Sequence, residues 1–98
     1  MIDHVVLLDV RADVQVATLA RFEHLLAALP ERIDEVESVR FGPSVSPEGL
    51  EQGYSYGFLI TFADEHARDR YLPHPEHEPI STLAQQMAER VLVFDIAS

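Results

Sequence analysis

Cysteine, lysine and tryptophan are all missing from this sequence of 98 residues. Without cysteine, the chain cannot form a disulfide, use a thiolate nucleophile or offer a sulfur ligand to a metal. Positive charge is also scarce, because seven basic residues oppose 17 acidic ones and the formal net charge is −10. A surface of this sign repels phosphates and anionic lipids, so we expect no nucleic acid and no membrane among the partners.

Long apolar runs are missing as well. No stretch approaches the roughly 20 residues of a membrane-spanning helix. The opening Met1-Ile2-Asp3-His4 enters an apolar strand pattern at once and lacks the basic region of a signal peptide. We therefore expect a cytoplasmic protein with one domain, residues 1–98. The use of arginine and alanine in place of lysine suggests a bacterial source with a GC-rich genome.

Apolar periodicity predicts four strands and three helices. The strands are predicted at residues 2–10, 36–41, 54–62 and 91–96. The helices are predicted at residues 14–29, 65–72 and 75–90. We expect Asp13 and Asp64 to cap the first two helices and Pro30 to end the first. The order β-α-β-β-α-β is that of the ferredoxin-like α+β fold with an antiparallel sheet.

Both faces of the first and last strands carry apolar residues. An antiparallel sheet with one face in water would alternate more cleanly. Helices can cover only one face, so the sheet of a second copy is expected to cover the other in a two-fold symmetric homodimer. The residues predicted for this sheet-to-sheet interface are Val5, Leu7, Leu92 and Phe94.

Strand parity predicts a small-molecule pocket on the helix side of the sheet. His4, Val6 and Leu8 share a face, which we assign to the helix side together with the aromatic row of the third strand. An apolar space with few polar groups is typical of a ligand site. The residues expected to bind a substrate are His4, Val6, Leu8, Phe22, Leu26, Val39, Phe58, Ile80 and Leu83.

The segment Tyr71-Leu72-Pro73-His74-Pro75-Glu76-His77 is the best candidate functional site. It holds a tyrosine and two histidines around two prolines, and imidazole titrates near neutral pH. Structural roles can also explain these residues. His4 could bond to a backbone carbonyl or to Tyr71, His74 could cap a helix or bond to a loop carbonyl, and His77 could support the prolines.

A metal site is a further possibility, formed by His4, His74 and His77 with Glu76. We expect His74 and Glu76 to point away from His77, so we predict no metal. Asp95 is interpreted as a polar group at a strand end or at the interface.

Several motifs, taken in order, resemble the stress-responsive dimeric α/β-barrel (Dabb) domain family. They are Ile2-Asp3-His4-Val5-Val6-Leu7-Leu8, Ser46-Pro47-Glu48-Gly49-Leu50, Gly53-Tyr54, Thr61-Phe62, the segment 71–77 and Val91-Leu92-Val93-Phe94-Asp95. The similarity covers nearly the whole chain. It implies a homodimer in which two sheets pack into a barrel wrapped by helices, and we expect no cofactor.

The resemblance also implies catalytic roles. One plant member of the family closes a linear polyketide by aldol condensation, and Tyr71 and His77 match its catalytic pair. His77 would then be the base, Tyr71 the proton relay or enolate stabiliser, and His4 a polar wall. Three functions stay open. They are a stress-related protein that binds a small apolar or aromatic molecule with cyclase-like or isomerase-like chemistry, a non-catalytic stress-linked structural or binding protein, and a cofactor-free monooxygenase-like enzyme.

Overall fold

The computed structural model describes every residue from Met1 to Ser98. Its elements are β1 (Ile2–Val10), α1 (Val16–Ala27), α2 (Leu29–Arg32), β2 (Ser38–Pro43), β3 (Tyr56–Phe62), α3 (Glu65–Tyr71), α4 (Glu78–Met87) and β4 (Ala88–Ala97). The predicted ferredoxin-like α+β fold is confirmed, with α2 as an additional short helix. The antiparallel sheet has the order β2-β3-β1-β4, so β1 lies in the interior of the sheet.

Burial alternates along the two central strands. In β1, His4, Val6 and Leu8 are buried while their neighbours are only partly covered, and β3 shows the same period of two. Successive side chains of a strand point to opposite faces, so one face of the sheet is closed by the helices. This confirms the assignment of His4, Val6 and Leu8 to the helix side.

The first helix begins two residues later than predicted, and Asp13 does not cap it. The N-cap is Gln15, whose side chain makes no capping bond. Asp13 instead lies inside a turn that is closed by the Val14 N–H donating to the carbonyl of Arg11. A residue held in that turn cannot also occupy the N-cap position of a helix that starts at Val16.

Proline placement explains two further differences from the prediction. Pro30 lies in the first turn of α2, where a missing N–H costs no helical hydrogen bond, and α1 ends earlier at Ala27. The last helix likewise has Pro79 in its first turn, so it begins at Glu78 and leaves Pro75 outside. The predicted bounds of β1 are confirmed. The second strand lies two residues later than predicted, β3 begins two residues later, and β4 begins three residues earlier and ends one residue later.

The predicted cap of α3 is confirmed. The Asp64 side chain accepts a hydrogen bond of 2.8 Å from the backbone N–H of Ala67. This satisfies one of the free N–H groups at the helix start and fixes where α3 begins. Tyr71 is the last residue of α3 and its side chain is buried. By fixing the start of the helix, the cap therefore also helps to position Tyr71.

The other face of the sheet has no helical cover. Strand pairing sets Val5 opposite Phe94 and Leu7 opposite Leu92 on this face, and Leu7 also lies over Gly57. Phe94 and Ile96 are 60% and 50% exposed. A contiguous exposed apolar face of this kind is typical of an interaction surface.

None of the helices is long and apolar enough to span a bilayer.

Candidate functional site

A cavity of about 440 Å³ lies between the sheet and the pair of helices α3 and α4. Its apolar wall consists of Val6, Phe58, Ile80 and Ala84. Exposed apolar side chains surround the mouth, among them Leu72, Val91 and Val93. The polar side chains in the lining are His4, Arg68, Asp69, Tyr71, His77, Ser81, Gln85 and Asp95.

His77 has a defined tautomer. Its Nδ1 lies 2.8 Å from the backbone carbonyl of Leu72, and a carbonyl oxygen can only accept, so Nδ1 carries the proton. The neutral ring therefore has its lone pair on Nε2. Burial lowers the pKa of His77 below its ordinary value of 6.5, the bond to Leu72 opposes this effect, and the nearby His4 side chain lowers the pKa further. Neutral imidazole with a free Nε2 is the form that a general base requires.

Tyr71 lies directly against His77. The two ring centroids are 4.6 Å apart, and the Tyr71 ring also packs on Phe62 with centroids 5.0 Å apart. Burial is the cause that raises the pKa of the Tyr71 phenol above its ordinary value of 10. The hydroxyl therefore keeps its proton at neutral pH, and it makes no hydrogen bond within the chain. It is a hydrogen-bond donor available to a ligand in the cavity.

His4 belongs to a hydrogen-bonded chain of side chains that ends at the surface. Its Nδ1 donates to Asp95 Oδ1 over 2.6 Å, and Arg68 Nη1 donates to Asp95 Oδ2 over 3.0 Å. Arg68 also bonds to Asp69. Because the Asp95 carboxylate accepts at Nδ1, His4 directs Nε2 away from Asp95. The two expected structural partners of His4, a backbone carbonyl and Tyr71, are therefore replaced by Asp95.

The structure brings six of the predicted site residues together in the cavity lining and leaves five out. The six are His4, Val6, Phe58, Tyr71, His77 and Ile80. The five that do not line it are Leu8, Phe22, Leu26, Val39 and Leu83. Helix α1 packs on the side of β2, while α4 packs on β4 at the opposite edge. Side chains under α1 therefore close the core, and the open space lies only under α3 and α4.

Sequence reasoning missed the roles of Asp95 and Arg68. Asp95 is a wall residue rather than a strand-end or interface group, because the antiparallel register places it directly opposite His4. Arg68 precedes Tyr71 by three residues on α3, and residues with this spacing share one face of a helix. That spacing was the available signal for Arg68. The signal for Asp95 requires the strand register.

His74 takes a local structural role. Its Nδ1 accepts a hydrogen bond from the backbone N–H of Glu76 over 3.0 Å, and it neither caps α4 nor bonds to a loop carbonyl. His77 also has a structural role beside its place in the lining, since its bond to Leu72 spans the two prolines. No group of three or more His, Asp or Glu side chains is arranged to hold a metal ion.

The unfolding free energy should depend on pH because the pKa of His77 is lowered in the folded protein. A histidine of the unfolded chain binds a proton more readily than the folded His77. The neutral His77 ring therefore stabilises the fold above pH 6.5, and this stabilisation is lost as the pH falls through 6.5 towards the folded pKa. We compare the unfolding free energies of the wild type and His77→Asn, and we expect the wild type's value minus the variant's to decrease as the pH falls through this range. Urea titrations at fixed protein concentration measure it, and a difference that is constant with pH would contradict the burial of a neutral ring.

The fold and the cavity together define a ferredoxin-like α+β domain with a histidine- and tyrosine-lined pocket on one side of the sheet and an uncovered apolar face on the other. The family model described as the stress responsive A/B barrel domain (Dabb) matches residues 2–98, and the chain belongs to this family.

Individual relatives agree with this assignment. The stress-response A/B barrel domain-containing protein HS1 of Arabidopsis thaliana is 30% identical over 94 residues, which cover 96% of this chain and 86% of HS1. Olivetolic acid cyclase of Cannabis sativa is 23% identical over 94 residues, which cover 96% of this chain and 93% of the cyclase.

A solved structure extends the comparison to assembly. A dimeric ferredoxin-like protein of unknown function from Jannaschia sp. CCS1 has a TM-score of 0.89 and 26% identity, with 99% of this chain and 98% of that chain covered. Ferredoxin-like neighbours that are described as dimeric support a homodimer for this chain.

Proposed function

We propose that this protein binds a small, mostly apolar carbonyl compound in the cavity and removes a proton from the carbon next to the carbonyl. The observation that carries the proposal is the arrangement of His77, with Nδ1 committed to Leu72, Nε2 free, and the ring 4.6 Å from that of Tyr71. This pairs a base that is neutral at physiological pH with an adjacent donor that keeps its proton. The apolar wall supplies the surface on which the remainder of the ligand would pack.

The proposed step is an enolisation. His77 Nε2 takes the proton from the α-carbon, and the electron pair of the broken C–H bond moves into the carbonyl to form an enolate. The Tyr71 hydroxyl donates a hydrogen bond to the enolate oxygen, where negative charge develops. His4 forms part of the polar wall beside them. Return of the proton from His77 to another position gives an isomerase. Attack of the enolate carbon on a second carbonyl of the same molecule forms a carbon–carbon bond and an alkoxide, which takes the proton from His77; this gives a cyclase, consistent with the similarity to olivetolic acid cyclase.

Tyr71→Phe tests the enolate stabiliser in an assay that needs no natural substrate. Exchange of the α-protons of 4-phenylbutan-2-one for deuterium in D₂O is followed by NMR, and wild-type protein is expected to accelerate it over buffer. Removal of the hydroxyl should slow the catalysed exchange by about a hundredfold, as the loss of one oxyanion donor does in other enzymes. The phenylalanine ring keeps the contacts with Phe62 and His77, so folding should be preserved.

The matched control for this assay is His66→Ala, because His66 is an exposed residue of α3 outside the cavity lining. It should exchange the ketone protons at the wild-type rate. If the wild type bound the ketone and produced no exchange above buffer, the enzymatic proposal would be wrong. The non-catalytic binding protein would then be the function to retain.

The proposal includes the assembly. The homodimer forms through the uncovered sheet face, with Val5, Leu7, Leu92 and Phe94 at the interface. Support comes from the strand register, which puts these four side chains on one face, and from the exposure of Phe94. The opposite face holds the cavity, so each protomer would keep its own site.

A further inference from the structure

Three side chains with a fixed charge line the cavity, and all are partly exposed. They are Arg68, Asp69 and Asp95, whose side chains are 23%, 61% and 25% exposed. One positive and two negative groups leave one net negative charge. The apolar wall contains no charged group, and the whole chain carries a formal charge of −10. A ligand that enters the cavity therefore meets a negative potential from the site and from the rest of the molecule.

Arg68 is the only guanidinium in the lining, and carboxylates already occupy it. Its Nη1 lies 3.0 Å from Asp95 Oδ2, and its Nη2 and Nε each lie 3.1 Å from Asp69 Oδ1. The hydrogen bonds to Asp95 and Asp69 raise the pKa of Arg68 above its ordinary value. An arginine that recognises a carboxylate or phosphate uses a pair of parallel donors. The parallel Nε and Nη2 donors of Arg68 already bind Asp69, and Nη1 binds Asp95.

We propose that the cavity selects uncharged carbonyl compounds and rejects small carboxylates and phosphates, with the Asp69–Arg68–Asp95 cluster as the discriminating group. This rests on the proposed function and narrows its substrate class. An anion would be repelled by Asp69 and Asp95 and would find no free cation. A ketone, aldehyde or ester carries no charge, so the cluster would not lower its affinity. At the packing density of protein interiors the cavity holds on the order of 300 Å³ of ligand, so a single aromatic ring with a short chain fits.

A pair of fluorescent dyes tests this selection without any turnover. N-phenyl-1-naphthylamine is uncharged, and 8-anilino-1-naphthalenesulfonate has the same aromatic frame with a sulfonate added. Fluorescence titration of wild-type protein should give a Kd for the uncharged dye that is lower by about tenfold or more, which corresponds to about 1.4 kcal/mol. Equal affinities, tighter binding of the sulfonate, or no binding of the uncharged dye would each overturn the proposal.

Two substitutions in the cluster should change the affinity for the sulfonate dye in opposite directions. Asp69→Asn removes one negative charge beside Arg68, so the sulfonate dye should bind several-fold more tightly. Arg68→Met leaves both carboxylates without a cation, so the sulfonate should bind several-fold more weakly. A change of the same sign in both variants would overturn the assignment of the cluster.

Controls separate the cavity from the rest of the surface. Asp34→Asn makes the same change in net charge at an exposed residue outside the cavity lining and should leave the ratio of the two Kd values unchanged. Ala84→Phe and Ser81→Phe each fill the cavity from α4 and should weaken binding of the uncharged dye; if neither did, the dye would be bound elsewhere and the proposal would fail. Because His77 and Tyr71 are untouched, loss of charge selection with intact ketone exchange would refute only this inference.

Discussion

Replacing His77 by asparagine is expected to slow the catalysed exchange of ketone α-protons by roughly a hundredfold to ten-thousandfold, the usual contribution of a positioned general base. The side-chain amide of asparagine can place its N–H near the position of Nδ1 and keep the bond to the Leu72 carbonyl. It has no basic nitrogen where Nε2 lies. The substitution therefore removes the proposed chemistry and retains the structural bond that spans the two prolines.

His77→Ala completes this comparison. Both variants should lose the exchange, but alanine should also lower the unfolding free energy, because the Leu72 carbonyl loses its partner. The dimer should persist in both variants, since His77 lies on the helix side of the sheet. Wild-type exchange in His77→Asn would show that the histidine has only its structural role and would remove it from the mechanism.

Replacing Phe94 by aspartate is expected to dissociate the homodimer. In a two-fold symmetric interface each substitution occurs twice, so two carboxylates would lose their hydration in an apolar contact. We expect the dimer dissociation constant to rise by about three orders of magnitude or more, which corresponds to roughly 4 kcal/mol. Sedimentation velocity over a concentration series measures the change.

Val16→Asp is the matched control for the dimer experiment. Val16 is 87% exposed at the start of α1, away from the sheet face, and the substitution adds the same charge to the chain. It should leave the dissociation constant unchanged. A dimer that survives Phe94→Asp but not Val16→Asp would mean that the protomers associate through their helices.

Strand parity was enough to predict which side chains share a face. The alternation of apolar residues in β1 and β3 placed His4, Val6 and Phe58 on the helix side, and the structure confirms this. Parity could not predict where along the sheet the cavity lies. Phe22 and Leu26 have the same apolar periodicity as Ile80, but α1 packs tightly over β3 and β2, with the Phe22 and Phe58 ring centroids 5.8 Å apart. The difference depends on how closely each helix approaches the sheet, which is a tertiary property.

The polar contacts of the site could not be predicted without the register between strands. The pairing of His4 with Asp95 joins residues 91 positions apart and follows from the alignment of β1 with β4. A shift by one residue would turn Asp95 to the other face of the sheet. The prediction that Leu92 and Phe94 lie on the uncovered face already implied that Asp95 lies on the helix side, but only the register shows that it pairs with His4. A local signal was sufficient at Asp64, where the capping side chain and the helix are adjacent in the chain, but the same signal at Asp13 was wrong.

The pH dependence of ketone exchange is the most direct test of the account, because it joins the geometry of His77 to the proposed reaction. The wild-type rate should fall as the pH decreases, with a midpoint below 6.5, since burial lowers the pKa of His77 and protonation removes the lone pair of Nε2. The residual rate in His77→Asn should not show this inflection. The assignment of His77 as the base would be contradicted if His77→Asn showed the same inflection as the wild type. It would also be contradicted if the wild-type midpoint lay above 6.5.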